Sequence, residues 1–419
     1  MEAKTLDTPS PKVDAMIDKY LEAPQIFKNR EALNHSFVPD ELPHRDKHLD
    51  RMVSILISAL RGGTPSNIFL YGKTGAGKTA VARLVLRAIA SKGRGTNMPL
   101  IPSYINCNQF STNYSILRKL CKKIDIEVPF TGLPTDEVYS RFRDGLDAAE
   151  QLMIIILDEV DKLVNKSGND VLYDLTRMKV DLERARVSLI GITNDLRFKS
   201  QIDPRVLSSL SEEELFFAPY KATELQTILE QRAKMAFYPG VYDYGVITLC
   251  AAIGAREHGD ARRALHLLKV SGELAETQKL NKVTEDHVKQ ARNHIEQKTI
   301  NTFLETLPIQ SKTVLHSIYL LEVNGKKEIF SGDVYDVYSE ICGIVGLDRL
   351  TQRRISDFVN ELIMHGIISA QEISRGRYGR TRRMQLSIPQ EQIKKVLVEE
   401  DKTGRLKQVI DFVPTLLRP

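Results

Sequence analysis

The spacing of apolar positions changes character several times along the chain. Over residues 46–61, Leu49, Met52, Val53, Leu56, Ile57 and Leu60 recur every three or four positions. That spacing predicts a helix with one buried stripe, ended by Gly62 and Gly63. Residues 67–71 are a short apolar run, followed by a glycine-rich stretch and then by the Ala-, Val-, Leu- and Arg-rich residues 78–90, which read as strand, loop and helix. A second strand is expected at 103–107, and helices at 111–124 and 135–152, separated by Pro129, Gly132 and Pro134. Residues 153–157 are apolar without alternation and run into acid, the pattern of a strand covered on both faces in a parallel sheet flanked by helices. Residues 187–193 repeat that pattern and 215–217 offer a further short strand.

Beyond Tyr220 the texture turns helical, with helix periods at 223–237, 246–258, 261–278 and 284–303 and no convincing strand. A small helical domain fits. From Pro308 a third region carries helix patterns at 312–323, 331–342 and 351–365, then two strands around an arginine-rich turn at 374–383. The expected fold class is α/β: a parallel sheet flanked by helices, a small helical domain and a C-terminal domain of helices and two strands. The expected boundaries are 1–220, 221–303, 304–395 and a tail at 396–419. Residues 1–20 and the proline-punctuated 36–44 read as an extended lead-in.

Composition narrows this picture only a little. The chain has 419 residues, 42% hydrophobic and 27% charged, which is ordinary globular composition spread over several domains. Its 59 Lys and Arg against 54 Asp and Glu leave a net charge of +5, too little over this length to indicate a polyanion partner without a local cluster. Cys107, Cys121, Cys250 and Cys342 show neither disulfide-scaffold nor zinc-ligand spacing, so a reducing compartment is expected. No apolar run reaches the roughly 18 residues that span a bilayer, so neither export nor membrane insertion is expected.

The strongest chemical signal is Gly72-Lys73-Thr74-Gly75-Ala76-Gly77-Lys78-Thr79, followed by Ala80, a complete G-x-x-x-x-G-K-T between a strand and a helix. In that context backbone donors at a helix N-terminus face phosphate oxygens, Lys78 reaches the β- and γ-phosphates, and Thr79 is a magnesium ligand. Asp158 and Glu159 close the apolar strand 153–157, where ligands bind in open α/β sheets. Asp158 suits magnesium and Glu159 suits a general base, the bland reading being a solvated turn; Asp161 belongs to that turn or to a cap. Asn194 closes the strand 187–193, either as a sensor of the γ-phosphate or as a turn cap. In Gly259-Asp260-Ala261-Arg262-Arg263, Asp260 is an expected cap, and Arg262 or Arg263 stands either over the phosphates or on the helix surface. Arg205 is either a subunit-edge residue or a plain surface charge.

Five arginines, Arg375, Arg377, Arg380, Arg382 and Arg383, surround Tyr378 in the expected hairpin turn, a local field far stronger than the chain average and suited to phosphate. The helix before it, with Thr351 as N-cap, buries Ile355, Phe358, Val359 and Leu362 and leaves Gln352, Arg353, Ser356 and Asn360 on its flanks. A helix followed by a basic hairpin suits a winged helix bound to duplex DNA, or a protein-docking module of the same shape.

Together with Phe37-Val38-Pro39-Asp40-Glu41-Leu42-Pro43-His44-Arg45 and Leu157-Asp158-Glu159-Val160-Asp161, these motifs resemble the archaeal replication initiators related to origin-recognition and cell-division-control proteins, within the AAA+ ATPases. The resemblance covers about residues 15–395 and implies an α/β fold with an AAA+ P-loop NTPase parallel sheet, a small helical lid domain and a C-terminal winged-helix domain. It implies ATP or ADP with Mg2+, slow hydrolysis acting as a switch, and duplex DNA at replication origins, in a cytoplasmic, chromosome-associated protein. Its implied partners are the replicative helicase and a paralogous initiator on adjacent sites. It places Val38 and Arg45 beside adenine and ribose, makes Asp158 and Glu159 the Walker B pair, and makes Asn194 the first and Arg262 the second sensor. Arg205 becomes an inter-subunit finger, and residues 125–142, with Arg141, a second DNA contact. Two other readings keep the nucleotide site: a signalling or defence ATPase whose winged helix binds protein, and a clamp-loader-like or junction-motor protein.

Overall fold

A computed structural model of the chain describes residues 25–93, 99–374, 380–398 and 404–418. The chain forms two compact units, residues 1–291 and 292–419. The first unit is built on a five-stranded parallel sheet of order β2-β3-β4-β1-β5. Its strands are β1 (Ile68–Gly72), β2 (Leu100–Asn106), β3 (Leu152–Asp158), β4 (Arg186–Thr193) and β5 (Glu213–Phe217). Every residue of β3 is buried. Met153, Ile155 and Leu157 enter one core cluster while Leu152, Ile154 and Ile156 enter another, because successive side chains of a strand point to opposite faces. Helices therefore cover both faces of the sheet.

One face is packed by α1 (Asp46–Leu56) and α2 (Lys78–Lys92), the other by α3 (Asn113–Lys123), α4 (Thr135–Ala148), α5 (Val160–Ser167), α6 (Asp170–Asp181) and α7 (Pro204–Leu210). The apolar stripe expected over 46–61 is split, since the α-helix ends at Leu56 and a 3-10 turn carries residues 57–61 to Gly62, which sits at φ +76°. The helix expected over 135–152 stops at Ala148, and β3 begins at Leu152. Helical spacing runs on there because the strand's unbroken apolar residues satisfy any period. Sequence reading passed over α5, α6 and α7, which are short and interrupted by Gly168 and Pro204.

The lid follows as α8 (Ala222–Ala236), α9 (Tyr244–Arg256) and α10 (Ala261–Thr277), with Leu225, Leu229, Ile247, Cys250, Ala264 and Leu268 buried. Helix α11 (Glu285–Thr306) starts in the first unit and continues into the second.

In the second unit α12 (Ile309–Val323) is buried from Thr313 to Leu321, the expectation for a helix that is the centre of its own core. Around it lie β6 (Ile329–Phe330), α13 (Ser331–Val345), α14 (Gln352–Met364) and the antiparallel pair β7 (Ile368–Ser374) and β8 (Arg380–Leu386), in strand order β6-β8-β7. Helix α15 (Gln390–Val398) closes this core, to which Leu406 and Val409 contribute as fully covered side chains. Residues assigned to a tail from sequence thus supply apolar packing. The four cysteines are buried free thiols.

Candidate functional site

The phosphate loop leaves β1, an inner strand of the sheet, and turns into α2. Its glycines are required by backbone and by space. Gly75 sits at φ +72°, and a Cβ there would fall 1.9 Å from Asp260 Oδ1 at the start of α10. Gly72 sits at φ +147°, and a Cβ there would meet the Phe217 carbonyl of β5 at 2.3 Å. The loop is clasped between the sheet edge and the lid at a separation that no side chain tolerates.

Lys78 folds back over this loop, donating to the carbonyls of Gly72 at 2.7 Å and Lys73 at 2.8 Å and to Asn194 Oδ1 at 2.8 Å. Burial pulls its ammonium down to about 8, opposed by the Asp158 carboxylate. Thr79 donates to Asp158 Oδ2 at 2.8 Å, and Tyr104 donates to the same oxygen at 2.9 Å. Burial, with the Asp158 charge beside it, pushes the Tyr104 phenol up to about 12, so it remains a donor at all physiological pH. The next residue, Glu159, is half-buried in the left-handed region at φ 57°, an uncommon conformation for a side-chain-bearing residue. Asp161 accepts from the Thr193 hydroxyl at 2.8 Å and so ties α5 to the end of β4, beside Asn194. Strand ends β1, β3 and β4 thereby bring Lys78, Asp158, Glu159 and Asn194 to one edge of the sheet.

A cavity opens above the loop, lined by Gly75, Ala76, Gly77, Lys78, Thr79 and Ala80. Asn194 and the exposed lid residue Arg262 join them there. Its lining also has an apolar part, with Phe37, Val38, Pro39, Leu42 and Pro43 from the segment before α1, Ile228 from α8 and Leu265 from α10. The choice between the lid arginines follows directly: Arg263 is paired with Glu257 at 2.7 Å, and Arg262 faces the cavity. Asp260 caps α10 by accepting from the Arg262 and Arg263 backbone amides at 2.8 and 3.3 Å.

Arg45 stands behind the loop. It is 4% exposed, donates to the carbonyls of Ala76 at 2.9 Å and Ala218 at 2.8 Å, and stacks 3.8 Å over the Tyr220 ring. The structure puts Val38 in the cavity wall and makes Arg45 a brace for the loop. Arg205 is exposed at the start of α7, with its guanidinium on Asp203 at 2.8 Å and over the Tyr173 ring; it is outside the cavity wall. Sequence reading missed Tyr220, Ile228, Gln231, Arg232 and Leu265, all of which line the cavity. Tyr220 lies just before the lid and the other four come from it, all far from the loop in sequence.

On the second unit, α14 buries Ile355, Val359 and Leu362 and exposes Thr351, Gln352, Arg353 and Ser356. Thr351 occupies the N-cap position without a side-chain cap bond. The turn residues Arg375, Arg377 and Tyr378 lie outside the described residues, and Arg380 opens β8. Arg382 bonds to Asn360 of α14 and lies 3.8 Å from Glu372, while Arg383 pairs with Glu328 at 3.0 Å. Both pairs are solvent-exposed, so they are weak and readily exchanged for another anion. Arg141, on α4 of the first unit, is exposed and paired with Glu137 one turn away at 2.8 Å.

Three family models match in series: an AAA domain over residues 61–199, a Cdc6 AAA+ ATPase-type lid domain over 226–293 and a CDC6 C-terminal winged helix domain over 302–396. The chain is 52% identical over 390 residues to an ORC1-type DNA replication protein of Pyrococcus furiosus, covering 92% of this chain and 93% of that one. It is 48% identical over 402 residues to ORC1-type DNA replication protein 1 of Methanosarcina acetivorans, covering 96% of each. The solved Aeropyrum pernix ORC1 protein, in complex with DNA, superposes with a TM-score of 0.78 at 44% identity over 91% of this chain and 99% of that one. The loop, the lid and the winged helix are thus matched in one continuous alignment, and the chain belongs to the ORC1/Cdc6-type AAA+ replication initiators.

Proposed function

We propose that this protein is an ATP-switched initiator that binds duplex DNA at replication origins and supports loading of the replicative helicase, alone or beside a paralogous initiator on adjacent sites. The observation that carries the switch is the contact of the lid with the phosphate loop, where Asp260 and Arg262 meet Gly75 and the cavity. Nucleotide held between them biases the lid through its own contacts. Lys78 holds the β- and γ-phosphates, Asn194 and Arg262 sense the terminal phosphate, and Glu159 accepts a proton from the attacking water. Arg205 serves a neighbouring subunit when one is present.

Thr79 and Asp158 fit Mg2+, since a hydroxyl and a carboxylate oxygen lie 2.8 Å apart, the hard-oxygen donors that ion takes together with nucleotide phosphates. Bound there, the ion would neutralise part of the charge of the nucleotide phosphates. DNA is gripped by exposed α14, with Gln352, Arg353 and Ser356, by the hairpin arginines Arg375, Arg377, Arg380, Arg382 and Arg383 with Tyr378, and by Arg141. The DNA complex of the Aeropyrum pernix relative supports this assignment. No helix among the described residues is long and apolar enough to cross a membrane; the proposed role is that of a chromosome-associated, cytoplasmic protein.

The test is protection mapping of genomic duplex with and without ATP, alongside phosphate release. The expected result is a nucleotide-dependent footprint near an origin, and a Glu159→Gln variant that binds ATP and releases no phosphate. No protected duplex at any nucleotide state would turn the reading toward a protein-docking winged helix.

A further inference from the structure

We propose that Gln231 selects the base of the nucleotide, its carboxamide oxygen accepting a hydrogen bond from the exocyclic amine of adenine. This rests on the nucleotide reading of the cavity. The lining of that cavity is of two kinds: Lys78, Thr79, Asn194 and Arg262 suit phosphate, while Phe37, Val38, Leu42, Pro43, Ile228 and Leu265 offer apolar surface suited to a purine ring. Gln231 lies on α8 one turn beyond Ile228 and also lines the cavity.

Its Oε1 is buried and has no hydrogen-bond partner. Of the described residues with such an orphaned buried atom, Gln231 is the one in this cavity's wall. The amide orientation is set by its other end, since Nε2 donates to the Glu41 carbonyl at 3.4 Å. Turning the amide over would face oxygen to oxygen, so the atom left over is an acceptor.

The facing wall is held in place. Arg232, next along α8, donates to the carbonyls of Asn34 at 3.1 Å and Phe37 at 3.2 Å and lies 4.6 Å over the Phe37 ring. Lys269 donates to Asn34 Oδ1 at 2.9 Å. A base entering between this segment and α8 therefore meets an acceptor at a defined place. Adenine brings an N–H donor there; guanine and hypoxanthine bring a carbonyl oxygen, which leaves the acceptor unpaired and repelled.

Equilibrium binding of ATP, purine riboside triphosphate (hydrogen in place of the amine) and inosine triphosphate (carbonyl in its place) to the full chain tests this. The wild type is expected to bind ATP about tenfold more tightly than the amine-free analogue, the scale of one buried hydrogen bond, and inosine triphosphate more weakly still. In Gln231→Met the three affinities should converge, with that for the amine-free analogue retained. Should Gln231→Met bind none of them, Gln231→Ala and the wild-type series decide the matter the same way. Equal wild-type affinities, or an ATP preference that survives either substitution, overturn the assignment while leaving the nucleotide site standing. If the wild type binds no triphosphate, or if Lys78→Ala binds all three normally, the nucleotide reading itself falls and takes this inference with it.

Discussion

Lys78 is held by three protein acceptors and drawn down to about 8 by burial. A polyphosphate placed against it favours the charged form, so binding above that pH takes up a proton, and affinity should weaken as pH rises further. Calorimetry of the wild type at pH 8.5 in buffers of different ionisation enthalpy should register that uptake; no buffer dependence would refute it. The loop and the acid pair were readable from residue spacing because local backbone makes the site: a strand, a glycine turn and a helix start. The roles of Arg45 and Arg262 were not. Arg45 and its neighbour in the motif, Val38, are equally plausible as wall residues until the guanidinium is seen on the Ala76 carbonyl. Arg262 and Arg263 are told apart only once Glu257 is seen on Arg263 and the cavity on Arg262.

At the scale of elements, each contact that matters joins pieces distant in sequence. Gly75→Ala places a methyl group inside the Asp260 carboxylate. It should therefore separate lid from loop and lower ATP affinity by more than tenfold, whereas Gly168→Ala, which meets nothing within 4 Å at a comparable φ of +76°, should leave ATP affinity unchanged. Nucleotide titration of both variants compares the two directly. In the winged helix, α12 carries His316, fully covered and drawn down to about 4 by burial. The unfolded chain takes up a proton near 6.5 and the folded chain does not until about 4, so this residue removes stability as pH falls between those values. Denaturant midpoints of the second unit's transition should drop over that range, and His316→Leu should flatten the dependence. The basic hairpin was readable as alternation around an arginine cluster. That Arg382 and Arg383 hold Glu372 and Glu328 was not, because the first pairing needs the β7–β8 register that sets Glu372 opposite Arg382, and the second needs β6, which Glu328 precedes, to pair with β8.

Over the whole molecule, binding to both nucleotide and DNA should register as linked free energies. ATP at a hundred times its Kd should raise stability by about 2.7 kcal/mol, seen as a shift in thermal midpoint that Lys78→Ala abolishes. Duplex affinity should fall steeply with salt, and Arg353→Ala or Arg380→Ala should each flatten the log–log slope by about one for a lost phosphate contact. A slope unchanged in both variants would remove α14 and the hairpin from the DNA interface.

Periodicity and spacing were enough to establish the parallel sheet, the helical lid, the winged helix and the phosphate loop, since each is written in contiguous residues whose burial repeats with the backbone. Strand order, the seating of Asp260 against Gly75, the brace formed by Arg45, and the cavity lining built from residues 37–43, Ile228, Gln231 and Leu265 came from the folded chain alone. These depend on which surfaces meet across long stretches of intervening chain. Close packing and the satisfaction of buried polar groups settle such meetings, and neither leaves a period in the sequence.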